Sequence, residues 1–147
     1  MRSLSVFQIP TAVAALSMAF AGCGGGPKGP QLAPVSGVVT LDGQPLPDAH
    51  IVFQPSGEKA SPSIADTGTD GTFQLAFNRA STGALPGSHT VRITTARIAT
   101  ADDGKETVVE EKLPERYHAK SELKFDVKPE GNRFEIALES KGSARKK

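Results

Sequence analysis

The sequence predicts an all-β protein built as a single β-sandwich of about seven strands, and three observations carry that prediction. Between Val35 and Glu139 the apolar residues recur mainly at every second position, the punctuation is Gly, Pro and Asp, and no ten-residue stretch carries a 3.6-residue apolar stripe. Alternation gives each strand one oily face. Two sheets satisfy those faces by packing against each other. A chain of 147 residues has material for one such core, not two.

The first strand is "VSGVVTL", opening at Val35. Asp42-Gly43 follows as a tight-turn dipeptide, and Pro45 and Pro47 stiffen the chain behind it. "HIVFQP" reads as the second strand and stops at Pro55. After a serine-rich loop, "SIADTGTDGTFQLAF" carries another turn at Asp70-Gly71 and sets Phe73, Leu75 and Phe77 on one face. "GSHTVRITT" alternates through Val91 and Ile93, "SELKFDV" through Leu123, Phe125 and Val127, and "NRFEIAL" through Phe134, Ile136 and Leu138. Gly131-Asn132 between the last two predicts a closing hairpin. Ala99 to Lys120 shows no regular element. Its acids, Asp102, Asp103, Glu106, Glu110, Glu111 and Glu115, read as a solvated connector, and Tyr117 in "LPERY" as a cap on the core edge.

The two ends have a different character. Met1 and Arg2 precede "AVAALSMAFA", Ala12 to Ala21, with no acidic residue before Cys23. That run is too short for a membrane span and has the positive start, apolar middle and small-residue end of an export signal. Cys23 is the chain's only cysteine, so neither an internal disulfide nor a cysteine metal cluster follows from it. "FAGC" resembles the bacterial lipobox, with Phe20 standing where leucine is commonest. The resemblance implies cleavage between Gly22 and Cys23 and a diacylglyceryl thioether on Cys23. Several acyl chains hold a protein firmly on a bilayer where one binds only marginally. "GGGPKGPQLAP", Gly24 to Pro34, offers no apolar face and reads as a tether. The expected organisation is a signal peptide over 1–22, a lipidated Gly/Pro linker over 23–34, the sandwich over 35–140 and a basic tail over 141–147.

"VSGVVTLDGQPLPDAHIVFQP", "ADTGTDGTFQL" and "GALPGSHTVRI" together resemble the carboxypeptidase regulatory-like domain, a transthyretin-like, immunoglobulin-like sandwich, in the form carried by small planctomycete-type bacterial lipoproteins. The matching positions are Gly37, Gly43, Pro45, Ala49, Phe53, Asp70, Gly71, Phe73 and Gly87. For function the resemblance implies a non-catalytic binding or structural module at the cell envelope, held to membrane lipid through Cys23 and meeting an envelope protein or glycan. Transthyretin-like folds also include hydroxyisourate hydrolases, which resemble one another in a C-terminal Tyr-Arg-Gly-Ser; this chain reads Ser-Ala-Arg-Lys-Lys there.

The residues themselves point to no catalytic group, no metal site and no cofactor. His50, His89 and His118 lack a ligand spacing such as H-x-x-x-H, and Ser61, Ser63 and Ser121 lack a nucleophile elbow. Asp66 and Asp70 begin an EF-hand-like spacing, but Gly68 and Phe77 stand where oxygen ligands belong, so a plain turn is expected. The chain has 17 basic and 16 acidic residues, and without residues 1–22, whose one charge is Arg2, the balance is even. Nucleic acid is not an expected partner. A carbohydrate- or peptidoglycan-binding module is the alternative function, weakened by one Tyr, no Trp and phenylalanines on the core face. An unrecognised hydrolase using His89 or His118 is a further one. Strand edges remain open to pairing with a protein partner.

Overall fold

The computed structural model describes residues 29–57 and 60–141; the expected signal peptide, Gly22, Cys23 and residues 142–147 lie outside them. The described chain is all-β, with one 3-10 turn at Glu115–Tyr117 as its single helical element. No described helix is long and apolar enough to cross a membrane.

The first sheet is built on β1 (Val35–Leu41). Along one side it pairs in parallel with β12 (Asn132–Leu138), in register from Val35 opposite Asn132 to Leu41 opposite Leu138. Its other side is shared by β2 (Gln44–Pro45) and β5 (Thr72–Gln74), both antiparallel. The second sheet runs β11 (Lys124–Val127), β8 (Gly87–Thr94), β3 (His50–Pro55), β4 (Ser63–Asp66), β6 (Ala76–Asn78), β7 (Ser81–Thr82). The hairpin of β9 (Arg97–Thr100) and β10 (Glu106–Val109) pairs with neither sheet. Twelve strand segments thus replace the expected seven. The excess comes from short edge strands and from Ala99 to Lys120, which holds most of a hairpin as well as the 3-10 turn.

Alternation decides the core, because odd-numbered residues of β1 and β3 and of β8 point inward. Val35, Val39, Ile136 and Leu138 of the first sheet meet Ile51, Phe53, Ala65, Val91 and Ile93 of the second, all buried. Phe53 is the hub. Its ring lies 6.4 Å from Phe73, 6.1 Å from Phe125 and 6.0 Å from Phe134, and Phe125 and Phe134 are 4.9 Å apart. Burying a side chain of this size contributes about 1.5–3 kcal/mol. Leu75, fully buried, carries the chain from β5 in one sheet to β6 in the other; its amide donates to Val35 O and its carbonyl accepts from Gly83.

Local turn chemistry explains the connections. Asp42 and Gly43 have φ of 50° and 82°, the left-handed pair that a two-residue hairpin needs between Leu41 and Gln44. The Asp42 carboxylate accepts from the Ser140 amide at 3.0 Å, and hydrogen bonding from Ser140, its side chain first and its amide second, holds the Asp42 carboxyl below the usual range. Asp70 likewise accepts from the Thr72 hydroxyl and amide, so "TDGT" is a turn whose carboxylate serves its own backbone.

One expected hairpin is absent. Gly131-Asn132 does not fold β12 back on β11: β11 pairs with β8, and β12 crosses to lie beside β1. The Asn132 side chain accepts from the Lys128 amide and donates to the Lys128 carbonyl, each at 2.8 Å, while its amide donates to Pro34 O. Those bonds make the segment a crossover loop between sheets.

Candidate functional site

The strand directions give the sandwich two distinct ends. The chain enters through Ala33, bridged to Ala84, and β1 carries it to Leu41. A strand of seven residues spans roughly 20 Å at about 3.3 Å per residue. At that far end Leu46 donates to Val39 O, and the Thr67 hydroxyl joins Leu46 O to the Ala49 amide, just ahead of His50. The second sheet therefore presents His50 at the end remote from chain entry.

There a cleft of ≈ 490 Å³ is lined by Asp48, His50, Asp66, Thr94, Ala96 and Arg97. Register assembles it. His50 pairs with Asp66 on one side and Thr94 on the other, so the three side chains form a row across β4, β3 and β8 on the face away from the core. His50 Nδ1 lies 2.7 Å from Asp66 Oδ1. Asp48, held at φ 57°, and Arg97 close the rim: the guanidinium donates to the Asp48 carboxylate at 3.1 Å and to its carbonyl at 3.2 Å. Both pairs are exposed, so each contributes at most about 1 kcal/mol to stability.

Behind the cleft stands Glu111, which the sequence had placed in a solvated connector. Its carboxylate accepts from the Thr95 hydroxyl at 2.7 Å, the Thr95 amide at 3.0 Å, the Leu113 amide at 3.0 Å and the Thr94 hydroxyl. The Thr95 hydroxyl in turn accepts from the Lys112 amide at 2.8 Å. Partial burial opposes ionisation, yet the hydrogen bonds from Thr94, Thr95 and Leu113 outweigh it and hold the carboxyl at about 2. Glu111 is a clamp joining the end of β8 to the chain leaving the β9–β10 hairpin.

This arrangement defines what the cleft can do. Thr94 directs its hydroxyl at Glu111, so it does not present a proton to His50. His50 lines the cleft, and its Nε2 makes no hydrogen bond among the described residues. The cleft is suited to hydrogen-bonding a polar ligand or a partner's polar side chain. Arg97 neutralises one of the two cleft carboxylates, Asp48, and the other, Asp66, is hydrogen-bonded to His50.

The other residues singled out from sequence fall elsewhere. His89 is 1% exposed in the core, 5.9 Å from Phe53, with Nδ1 2.9 Å from Gly87 O and Nε2 unpartnered. His118 Nε2 lies 3.1 Å from Leu113 O. Ser63 is buried, and Ser121 donates to Val91 O. Tyr117 is buried at the core edge, with its hydroxyl accepting from the Glu139 amide. Asp66 and Asp70 serve different partners, His50 and Thr72, and no group of three metal-ligating side chains forms among the described residues. No motif spacing pointed to Asp48, His50 and Arg97 as a cluster, because only strand register brings them together.

Neither a family model nor a curated protein matches the chain. Among solved structures it is similar to BcpA, the major pilin subunit of Bacillus cereus, at 13% identity and a TM-score of 0.46, over 76% of this chain and 31% of that one. A DUF3823 family protein from Parabacteroides merdae is similar at 22% identity and a TM-score of 0.37, over 76% and 46% of the two chains. A 9R-lipoxygenase from Cyanothece is similar at 10% identity and 0.37, over 74% and 16%. The chain spans less than half the length of each of these proteins.

Proposed function

We propose that this chain is a lipid-anchored, non-catalytic β-sandwich of the bacterial cell envelope that recognises a partner with the end of the sandwich remote from its tether. The lipid on Cys23 supplies location, the Gly/Pro segment supplies reach, and the His50 cleft supplies recognition. One observation carries the reading: chain entry at Ala33 and the polar cleft at His50, Asp66 and Arg97 lie at opposite ends of the strands. A tether at one end leaves the other free to face a partner. The phenylalanine rings support a polar mode of recognition over sugar stacking, since Phe53 and Phe73 are buried and Phe125 and Phe134 are packed on Phe53.

Cys23→Ala tests the anchoring. The native chain is expected in the membrane fraction, released by detergent and not by high salt. The variant is expected in the soluble fraction with its thermal unfolding unchanged. Retention of the variant in the membrane fraction sinks the anchoring. For the cleft, chemical cross-linking in intact envelopes is expected to capture a partner with the native chain and to lose it with His50→Ala. Capture unaffected by that change moves recognition elsewhere.

A further inference from the structure

We infer that His89 makes the sandwich acid-sensitive: below about pH 6.5, where a histidine in water takes its second proton, the ring leaves the core and the edge strand β11 is released. His89 is 1% exposed and stands in β8 with Phe125 of β11 opposite it on one side and Pro55 of β3 on the other. Its ring lies 5.9 Å from that of Phe53. Nδ1 is 2.9 Å from Gly87 O, and because a carbonyl only accepts, that nitrogen carries the proton of the neutral ring. Nε2 is then a bare acceptor, buried and without a partner among the described residues. A buried polar atom left unpaired is costly, and a proton on it costs more, since it becomes a charged donor with no acceptor in reach.

No neighbouring charge compensates that proton. On the strands packed around the ring the charged side chains occupy exposed, outward positions: Arg92 of β8, Lys124 and Asp126 of β11, Arg133 and Glu135 of β12. His50, at the far end of β3, belongs to the cleft, and β1 and β5 carry no titratable side chain. The other buried polar residues among those described, Ser63, Thr67 and Thr95, are uncharged. A protonated ring therefore has to reach water. The way out is β11, which has four residues, ends its sheet and pairs only with β8 among the described strands. Phe125 packs on Phe53 and Phe134, so release of β11 uncovers the aromatic cluster. This device depends neither on the lipid at Cys23 nor on the His50 cleft.

The sign follows from which state takes the proton. The opened or unfolded chain binds it and the closed sandwich does not, so a falling pH favours opening. The test is urea unfolding of the full chain from about pH 8 to about pH 5, beside His89→Phe, which keeps a ring and removes the titration. The unfolding constant of the native chain divided by that of His89→Phe is expected to be flat above about pH 7 and to rise about ten-fold per pH unit below about 6.5, about thirty-fold in all by about pH 5. A ratio that stays constant or falls over that range overturns the inference. Where His89→Phe does not fold, the native chain decides alone. Its imidazole nitrogen NMR signals are expected to keep His89 as the neutral Nδ1–H tautomer in the closed population throughout, while the β11 amides lose hydrogen-exchange protection with falling pH and those of β1 keep theirs. A protonated His89 in a chain whose β11 amides stay protected would contradict the inference.

Discussion

Gly37→Ala is expected to destabilise the sandwich by about 3 kcal/mol or more, the high end of what overpacking costs. Gly37 is buried in the middle of β1, between Phe134 of β12 and Phe73 of β5. A methyl group there would sit 2.2 Å from the Phe134 carbonyl oxygen and 2.7 Å from the Phe73 ring. The ring could turn aside, but the carbonyl belongs to the paired strand, so two backbones must separate. The Phe73 ring covers the space a side chain would fill and connects it to Phe53. Ser36→Ala, one residue away on the opposite face, is expected to stay within about 0.5 kcal/mol. Urea unfolding of the two variants checks both; a Gly37→Ala variant as stable as Ser36→Ala would show that β1 and β12 yield easily at this point.

Loss of the Glu111 carboxylate should have the next largest effect, about 2–3 kcal/mol for Glu111→Ala, because several hydrogen bonds to a charged acceptor are lost together. Without it the Thr95 amide and both threonine hydroxyls lose their acceptor, and the corner between β8 and the hairpin loosens. The pH dependence has a definite sign. The folded carboxyl is held at about 2, below its ordinary 4.5, so the folded state binds the proton later than the unfolded state. Its contribution is complete above 4.5 and is lost as pH falls toward 2. The stability gap between the native chain and Glu111→Gln is therefore expected to be widest at neutral pH and to close over that acid window. A gap independent of pH would mean that the charge on Glu111 contributes nothing.

The core was legible in the sequence because alternation is a local signal. Val35, Val39, Ile51, Phe53, Val91 and Ile93 could be assigned inward from period two alone, and all are buried. Asp42-Gly43 and Asp70-Gly71 were legible for the same reason, since each turn is set by the φ freedom and short side chains of its own residues. Strand neighbours were not legible. Alternation says which face of β12 is oily but not that it lies parallel to β1, and Gly131-Asn132 has hairpin chemistry that the crossover bonds of Asn132 override. The β9–β10 hairpin had a weak signal in "DDGK", where Gly104 takes φ of 80°, flanked by two short β-branched runs. Glu111 looked like its acidic neighbours because its donors, Thr94 and Thr95, arrive from a separate strand. The cleft was hidden for the same reason: Asp48, His50, Asp66 and Arg97 meet only through register.

The proposed anchoring of this sandwich by a lipid at its lone cysteine is tested most directly by the intact mass of the chain purified from the membrane fraction. The account predicts a chain that begins at Cys23 and exceeds its polypeptide mass by a diacylglyceryl group, with or without a further acyl chain on the new amino terminus. A mature chain with a free, unmodified thiol at Cys23, or one cleaved at another position, would contradict it.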